Sequence, residues 1–209
     1  MALGDWFSNV ALLVRWLHVI AGIMWIGHLY FFNFVNLPLQ ASLDDSAKKL
    51  VNPKLMPRAL WWFRWGAMIT FLAGLVLFTL TYMYTPGGGF GSNNLFQDFS
   101  GHLTGRAVWI LFGMLLATYM WFNVWFIIWP AQKKLLSGQV PQDKIAAVRS
   151  RAALASRINT FLSAPMLFGM LAPAHYGASN GLTLLVAIAL GFFAVWWAYR
   201  TSKSVGTSV

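Results

Sequence analysis

The 209 residues are 58% hydrophobic and 10% charged, whereas an ordinary soluble domain carries about 25% charged residues. This composition excludes a typical water-soluble domain and predicts an all-α integral membrane protein with a single membrane-embedded domain over residues 1–209. The net charge of +10 comes mostly from the segments between apolar stretches, so lipid headgroups are the expected counter-charge and nucleic acid is not an expected partner. Cysteine is absent, which excludes disulfides and covalent attachment of a c-type haem.

Apolar stretches predict a bundle of about five transmembrane helices. Their expected bounds are residues 6–35, 59–84, 107–130, 157–172 and 181–199. Pro38 is expected to close the first helix, and the glycine-rich run after Thr85 to close the second. The first stretch is too long for the apolar core of a signal peptide, so we expect it to be retained as a helix. No convincing internal repeat is visible.

Lysine and arginine are distributed unevenly among the connections. They concentrate after the first and third predicted helices and in the C-terminal tail, whereas the opposite side has little more than Arg106. Basic connections stay in the cytoplasm, so the pattern predicts an N-terminus outside and a C-terminus in the cytoplasm. The expected location is the bacterial inner membrane, crossed several times.

Three ionisable residues fall in the first predicted helix, where each needs a physical reason to be in hydrocarbon. Arg15 and His18 lie about one turn apart, and His28 lies ten residues beyond His18, or about 15 Å along a helix axis. The two histidines therefore cannot bind one iron from a straight helix. Each would need an axial partner from another helix.

The remaining histidines are few, and both are expected at the outer surface. They are His102 and His175, and His18 is better placed than His28 to meet them. A b-type haem needs one or two axial ligands and an apolar slot between helices. Arg15 and Arg106 could pair with the haem propionates. We therefore predict haem b as cofactor, with His18 and His28 as candidate iron ligands.

A structural interpretation of the same residues is also open. A membrane histidine can simply hydrogen-bond across helices, and Arg15 can extend its guanidinium to the interface. Glutamate is absent and every aspartate lies outside the predicted spans, so a proton relay or carboxylate-bridged metal is not expected.

Three sequence segments resemble the membrane domain of the bacterial urate oxidase (urate hydroxylase) family. They are residues 16–27, residues 122–134, and residues 159–168 followed by Ala174-His175-Tyr176. The resemblance covers the first, third and fourth predicted helices in order. It implies a helical membrane domain that, in this family, is typically joined to a C-terminal cytochrome c and is implicated in urate oxidation.

The Trp16-Leu17-His18 segment also resembles the haem-b-binding, membrane-bound protoporphyrinogen oxidase family. In that family a histidine of the first helix is the haem ligand, a role that the resemblance transfers to His18 alone. Both resemblances imply a helical redox scaffold and neither specifies a substrate.

Together these observations predict a membrane-embedded haem protein that exchanges electrons with a quinone or with a partner, such as a cytochrome c or a larger membrane complex. Whether the chain is itself an oxidoreductase or a subunit of one stays open. An alternative is a non-catalytic membrane subunit that anchors or stabilises a larger complex. A small transporter is the third alternative.

Overall fold

The computed structural model describes residues 5–177 and 179–206, and almost all of its regular structure is helical. The helices are α1 (Trp6–Tyr30), α2 (Leu37–Ser42), α3 (Asp45–Tyr82), α4 (Gly105–Phe122), α5 (Trp129–Leu136), α6 (Ile145–His175) and α7 (Gly181–Thr201). A short hairpin of β1 (Tyr84–Thr85) and β2 (Gly89–Phe90) follows α3. The prediction of an all-α helical fold is confirmed.

Two π-helical segments continue helices that proline would otherwise interrupt. The first π segment, Phe31–Asn36, joins α1 to α2, and the second, Asn123–Ile128, joins α4 to α5. Each π segment is followed by a helix with proline in its first turn. Proline has no backbone N–H, so the usual helical hydrogen bond is missing at that position. The widened turns re-pair the backbone, with the Leu37 N–H bonding to Phe32 and the Trp129 N–H to Val124.

Polar side chains fix several helix starts. Asp5, Asp44, Thr104 and Asn180 each accept a hydrogen bond from a backbone N–H in the first turn of α1, α3, α4 and α7, respectively. Such caps satisfy donors that the helix itself leaves unpaired. The start of α3 at Asp45 lies well before the predicted residue 59, so the second long helix begins in a polar segment that hydropathy alone excluded.

Four continuous helical stretches in the described residues are long and apolar enough to cross a membrane. They are Trp6–Ser42, Asp45–Tyr82, Gly105–Leu136 and Gly181–Thr201. The chain is therefore a multi-pass membrane protein. The remaining predicted span, 157–172, lies within α6, whose apolar character is lowered by the buried polar residues Asn159, Thr160 and Ser163.

The long helices pack as antiparallel pairs, and a glycine lies at the closest approach in each. Gly66 of α3 faces the α1 backbone, Gly113 of α4 faces Gly169 of α6, and Gly191 of α7 faces Pro165 of α6. Small residues allow this approach, which is how helices gain dispersion contacts without a hydrophobic driving force in lipid. The buried core between the pairs contains Trp25, Phe63, Met120 and Val124.

This packing gives the bundle two distinct ends. The basic end contains the α2–α3 and α5–α6 connections and the end of α7, and the hairpin end contains the start of α1, the β1–β2 segment and the start of α7. The connections and adjoining helix turns of the basic end carry Lys48, Lys49, Lys54, Arg58, Lys133, Lys134, Lys144, Arg149, Arg151, Arg157, Arg200 and Lys203. The lysines and arginines that cluster along the sequence therefore also lie together at one end of the bundle.

The two π segments and the prolines after them recur at one spacing along the chain. The two π segments begin and end 92 residues apart, and Pro38 and Pro130 follow them at the same spacing. Each segment makes a side-chain hydrogen bond to the other antiparallel pair, from Asn33 to Ser156 and from Trp125 to the Arg64 carbonyl. The pairs α1–α3 and α4–α6 thus each contain a π segment followed by a proline, at equal spacing along the chain.

Candidate functional site

His18 lies on the face of α1 that packs against α3. Its Nδ1 is 2.8 Å from the carbonyl oxygen of Thr70. A carbonyl can only accept, so Nδ1 carries the proton and donates it. On the same side of the ring, a side chain added at Gly74 would place its Cβ 3.1 Å from Cε1 of His18. The ring therefore occupies a notch that exists because residue 74 is glycine.

His28, ten residues further along α1, is also anchored through Nδ1 to a backbone carbonyl, here one of its own helix. Its Nδ1 donates to the carbonyl oxygen of Met24 at 2.7 Å, and its ring is 6.5 Å from that of Phe32. Phe32 in turn packs edge-on against Phe63 of α3. Both intramembrane histidines are thus partly buried and anchored through Nδ1 to the backbone.

This shared geometry determines which nitrogen is available for chemistry. With Nδ1 protonated, a neutral imidazole keeps its lone pair on Nε2. Within residues 5–177 and 179–206, Nε2 of neither His18 nor His28 has a hydrogen-bond partner. An imidazole whose Nδ1–H is held by a carbonyl is the usual arrangement of a histidine that ligates a metal through Nε2. The donor set therefore fits an iron at either position.

The two arginines predicted as cofactor-binding residues both lie at the hairpin end. Arg15 of α1 and Arg106 of α4 are both exposed, and the positive charges of both act on the hydroxyl of Tyr82 at the end of α3. In the described part of the chain neither guanidinium forms an ion pair with a carboxylate. Both cations therefore lie at the same end of the bundle as Tyr82.

The other two histidines lie outside the helix interfaces. The His102 side chain is 81% exposed in the connection before α4, with Nδ1 3.9 Å from a carboxylate oxygen of Asp98. His175 is the exposed last residue of α6. Among the described residues no cluster of three or more histidine, aspartate or similar ligands forms. The roles assigned to His102 and His175 by the sequence stay predictions.

The space around the histidines restricts how a porphyrin could lie. The bundle core is filled by large side chains, of which Trp25 and Phe63 are each 1% exposed and Met120 is fully buried. Two surface cavities, of about 550 and 290 Å³, lie at the basic end, and no histidine lines either of them. Neither of these two cavities is therefore a place where His18 or His28 could hold a macrocycle.

Arg64 is an intramembrane cation that the sequence analysis missed. Its guanidinium carbon lies 3.8 Å from the centre of the Trp129 ring, and its Nε is buried without a hydrogen-bond partner in the described residues. The carbonyl of the same residue accepts from Nε1 of Trp125. The signal that could have revealed Arg64 is its position within the Trp61-Trp62-Phe63-Arg64-Trp65 run, where aromatic residues mark an interface.

We expect Arg64 and Trp129 to be energetically coupled. A cation over an indole contributes about 1–2 kcal/mol when partly desolvated. In a double-mutant cycle with Arg64→Leu and Trp129→Leu, the coupling measured by unfolding in mixed detergent micelles should be about 1 kcal/mol. Trp129→Phe should preserve most of it, because an aromatic face remains. A coupling near zero would show that the stacking has no energetic role.

The fold and these positions define a class of protein: a multi-pass helical membrane protein with anchored histidines inside its first helix. The family model for the urate oxidase N-terminal region matches residues 3–49, 42–90 and 94–203, which together cover nearly the whole chain. The chain belongs to this family. No curated protein and no solved structure matches it. The resemblance to protoporphyrinogen oxidases stays a prediction.

Proposed function

We propose that this chain is the haem-b-binding, electron-transferring membrane part of an oxidoreductase, with His18 as the leading iron ligand. The observation that carries the proposal is the anchoring of Nδ1 of His18 to Thr70, which leaves Nε2 available in an apolar setting. His28, anchored in the same way to Met24, is the candidate for a second position. A bound haem would supply one-electron redox chemistry.

The chain's own residues have separate roles in this proposal. His18 is held by the α3 backbone, so its ring orientation is fixed before any cofactor binds. Arg15 and Arg106 are the groups able to pair with carboxylates of the cofactor, since both act on Tyr82 and neither has an acidic partner among the described residues.

The proposal also includes an orientation and a partner. The basic end faces the cytoplasm of a bacterium under the positive-inside rule, which puts the N-terminus outside. In this arrangement α6 crosses the membrane as a fifth span, because it lies antiparallel to both α4 and α7. The family description names urate oxidase, and we assign to this chain the electron-transfer part of such an oxidase, with a quinone or a cytochrome c as partner.

The test is a reduced-minus-oxidised optical spectrum of the detergent-purified chain, together with a pyridine haemochrome assay. We expect a b-type α-band in the wild type and a loss of at least tenfold in bound haem for His18→Ala. Gln139→Ala is the control, because that side chain is exposed in the connection after α5, and it should retain the band. A colourless wild type after haem-sufficient expression would overturn the proposal.

A second candidate function is a non-catalytic membrane subunit that stabilises a larger complex. The observation in its favour is the filled core, in which large side chains close the bundle without any cofactor. In that case His18 only ties α1 to the Thr70 carbonyl of α3, and His28 only bonds to the Met24 carbonyl within α1. Co-purification of partner proteins would then be unchanged in a His18→Ala, His28→Ala double variant, and no pigment would be found in the wild type.

A further inference from the structure

A pocket of about 290 Å³ opens at the basic end between the first π segment, α2 and the end of α7. We call it the α2–α7 pocket. It is lined by Asn33, Leu37, Pro38, Ala41, Tyr199, Ser202 and Lys203. None of these residues belongs to the proposed haem site. The pocket combines an apolar wall on α2 with polar groups on α7, which is the pattern of a site for an amphiphile.

The polar group in the wall of this pocket is Asn33, which belongs to the first π segment. The wide turn of the π segment places Asn33 inside the bundle, where the residue is 5% exposed. Its amide nitrogen donates to the Leu29 carbonyl and to Oγ of Ser156, each at 2.9 Å. Both amide hydrogens are therefore used, and the side-chain oxygen has no donor among the described residues. A ligand with a hydroxyl group would satisfy that oxygen.

The α7 side of the pocket contains one lining cation, Lys203, and a second cation, Arg157, lies near the lining residue Tyr199. Lys203 and Arg157 approach the Tyr199 ring, with distances of 5.1 and 5.6 Å to its centre. Neither cation has a carboxylate partner in the described part of the chain. Two cations beside one cavity favour an anionic ligand, and a phosphate at the membrane interface is the anion that a membrane protein meets at highest concentration.

We propose that the α2–α7 pocket binds one anionic phospholipid with a hydroxyl-bearing headgroup, the chemistry of phosphatidylglycerol. The phosphate pairs with Lys203, the headgroup hydroxyl donates to the Asn33 side-chain oxygen, and an acyl chain follows the apolar wall formed by Leu37, Pro38 and Ala41. The apolar wall is the reason that the ligand is a lipid and not free phosphate. The proposal does not depend on haem binding.

The experiment is native mass spectrometry of the full detergent-purified chain titrated with defined lipids. Phosphatidylglycerol should bind most tightly, phosphatidic acid more weakly because it has no headgroup hydroxyl, and phosphatidylcholine at least tenfold more weakly. Lys203→Gln should weaken phosphatidylglycerol binding about fivefold, since one lysine near the interface contributes about 1 kcal/mol. Lys144→Gln is the charge-matched control on an exposed turn and should change nothing.

Ala41→Trp, which fills the pocket without changing charge, should weaken phosphatidylglycerol binding at least tenfold. If this variant does not fold, Lys203→Gln still tests the proposal, because Lys203 is exposed. Equal binding of phosphatidylglycerol and phosphatidylcholine would overturn the proposal. An equal loss of phosphatidylglycerol binding in Lys203→Gln and Lys144→Gln would also overturn it, since the attraction would then be unspecific. Displacement of the lipid by glycerol phosphate would overturn it as well.

Discussion

Gly169→Ala is expected to lower the free energy of unfolding by about 3 kcal/mol, the upper end of the usual cost of overpacking. A Cβ at this position would lie 2.8 Å from the Gly113 backbone nitrogen and 2.9 Å from its Cα. Backbone atoms cannot rotate away as a side chain can, so α4 and α6 would have to separate along their shared interface. The measurement is unfolding of the purified chain in mixed detergent micelles.

Gly27→Ala is the control for this experiment. It makes the same chemical change inside α1, but a Cβ there would meet nothing within 4 Å. Since alanine has the higher helix propensity, we expect this variant to be unchanged or slightly more stable. An equal loss of stability in both variants would contradict the conclusion that Gly169 is needed for the close contact between α4 and α6.

Asn159→Ala is expected to lower the free energy of unfolding by about 2 kcal/mol. Asn159 is completely buried, and its oxygen accepts from Nδ2 of Asn123 at 2.8 Å while its nitrogen donates to the Met120 carbonyl at 2.9 Å. Each hydrogen bond between membrane helices contributes about 0.6 kcal/mol on average, with a maximum near 1.7 kcal/mol. The truncation also leaves the Asn123 amide buried without its acceptor, which adds to the cost.

The Asn123→Ala, Asn159→Ala double variant separates these contributions. It removes donor and acceptor together, so it should lose less stability than the two single variants combined. Asn94→Ala, on an exposed turn of the hairpin end, should be indistinguishable from the wild type. Additive losses at positions 123 and 159 would contradict the hydrogen-bonded pair.

The helical class of the protein follows from the sequence because lipid leaves the backbone few alternatives. Apolar stretches of about 20 residues must satisfy their own hydrogen bonds, so their existence can be predicted from composition. Helix ends at the basic end were predicted less well. Hydropathy marks where the hydrocarbon ends, whereas α3 begins where Asp44 caps it and α5 ends at Leu136, beyond the predicted residue 130.

The sequence analysis missed two features for a different reason. The first is the equal spacing of the two π segments and of the prolines after them, because a π turn is defined by backbone hydrogen bonds that the side-chain pattern does not show. The second feature is Arg64, whose partner Trp129 is distant in the chain and comes near only when α3 packs against the start of α5.

The sequence by itself determined that this chain crosses a membrane, that its cations gather at one end, and that His18 and His28 lie within an apolar helix. Only the tertiary structure decided which ring nitrogen of His18 is available, because that depends on the Thr70 carbonyl of α3, whereas His28 bonds to Met24 within its own helix. It also decided that Arg15 and Arg106 lie at the same end of the bundle as Tyr82. Hydrophobicity is local along the chain, whereas hydrogen-bond partners and charge neighbours depend on how the helices pack.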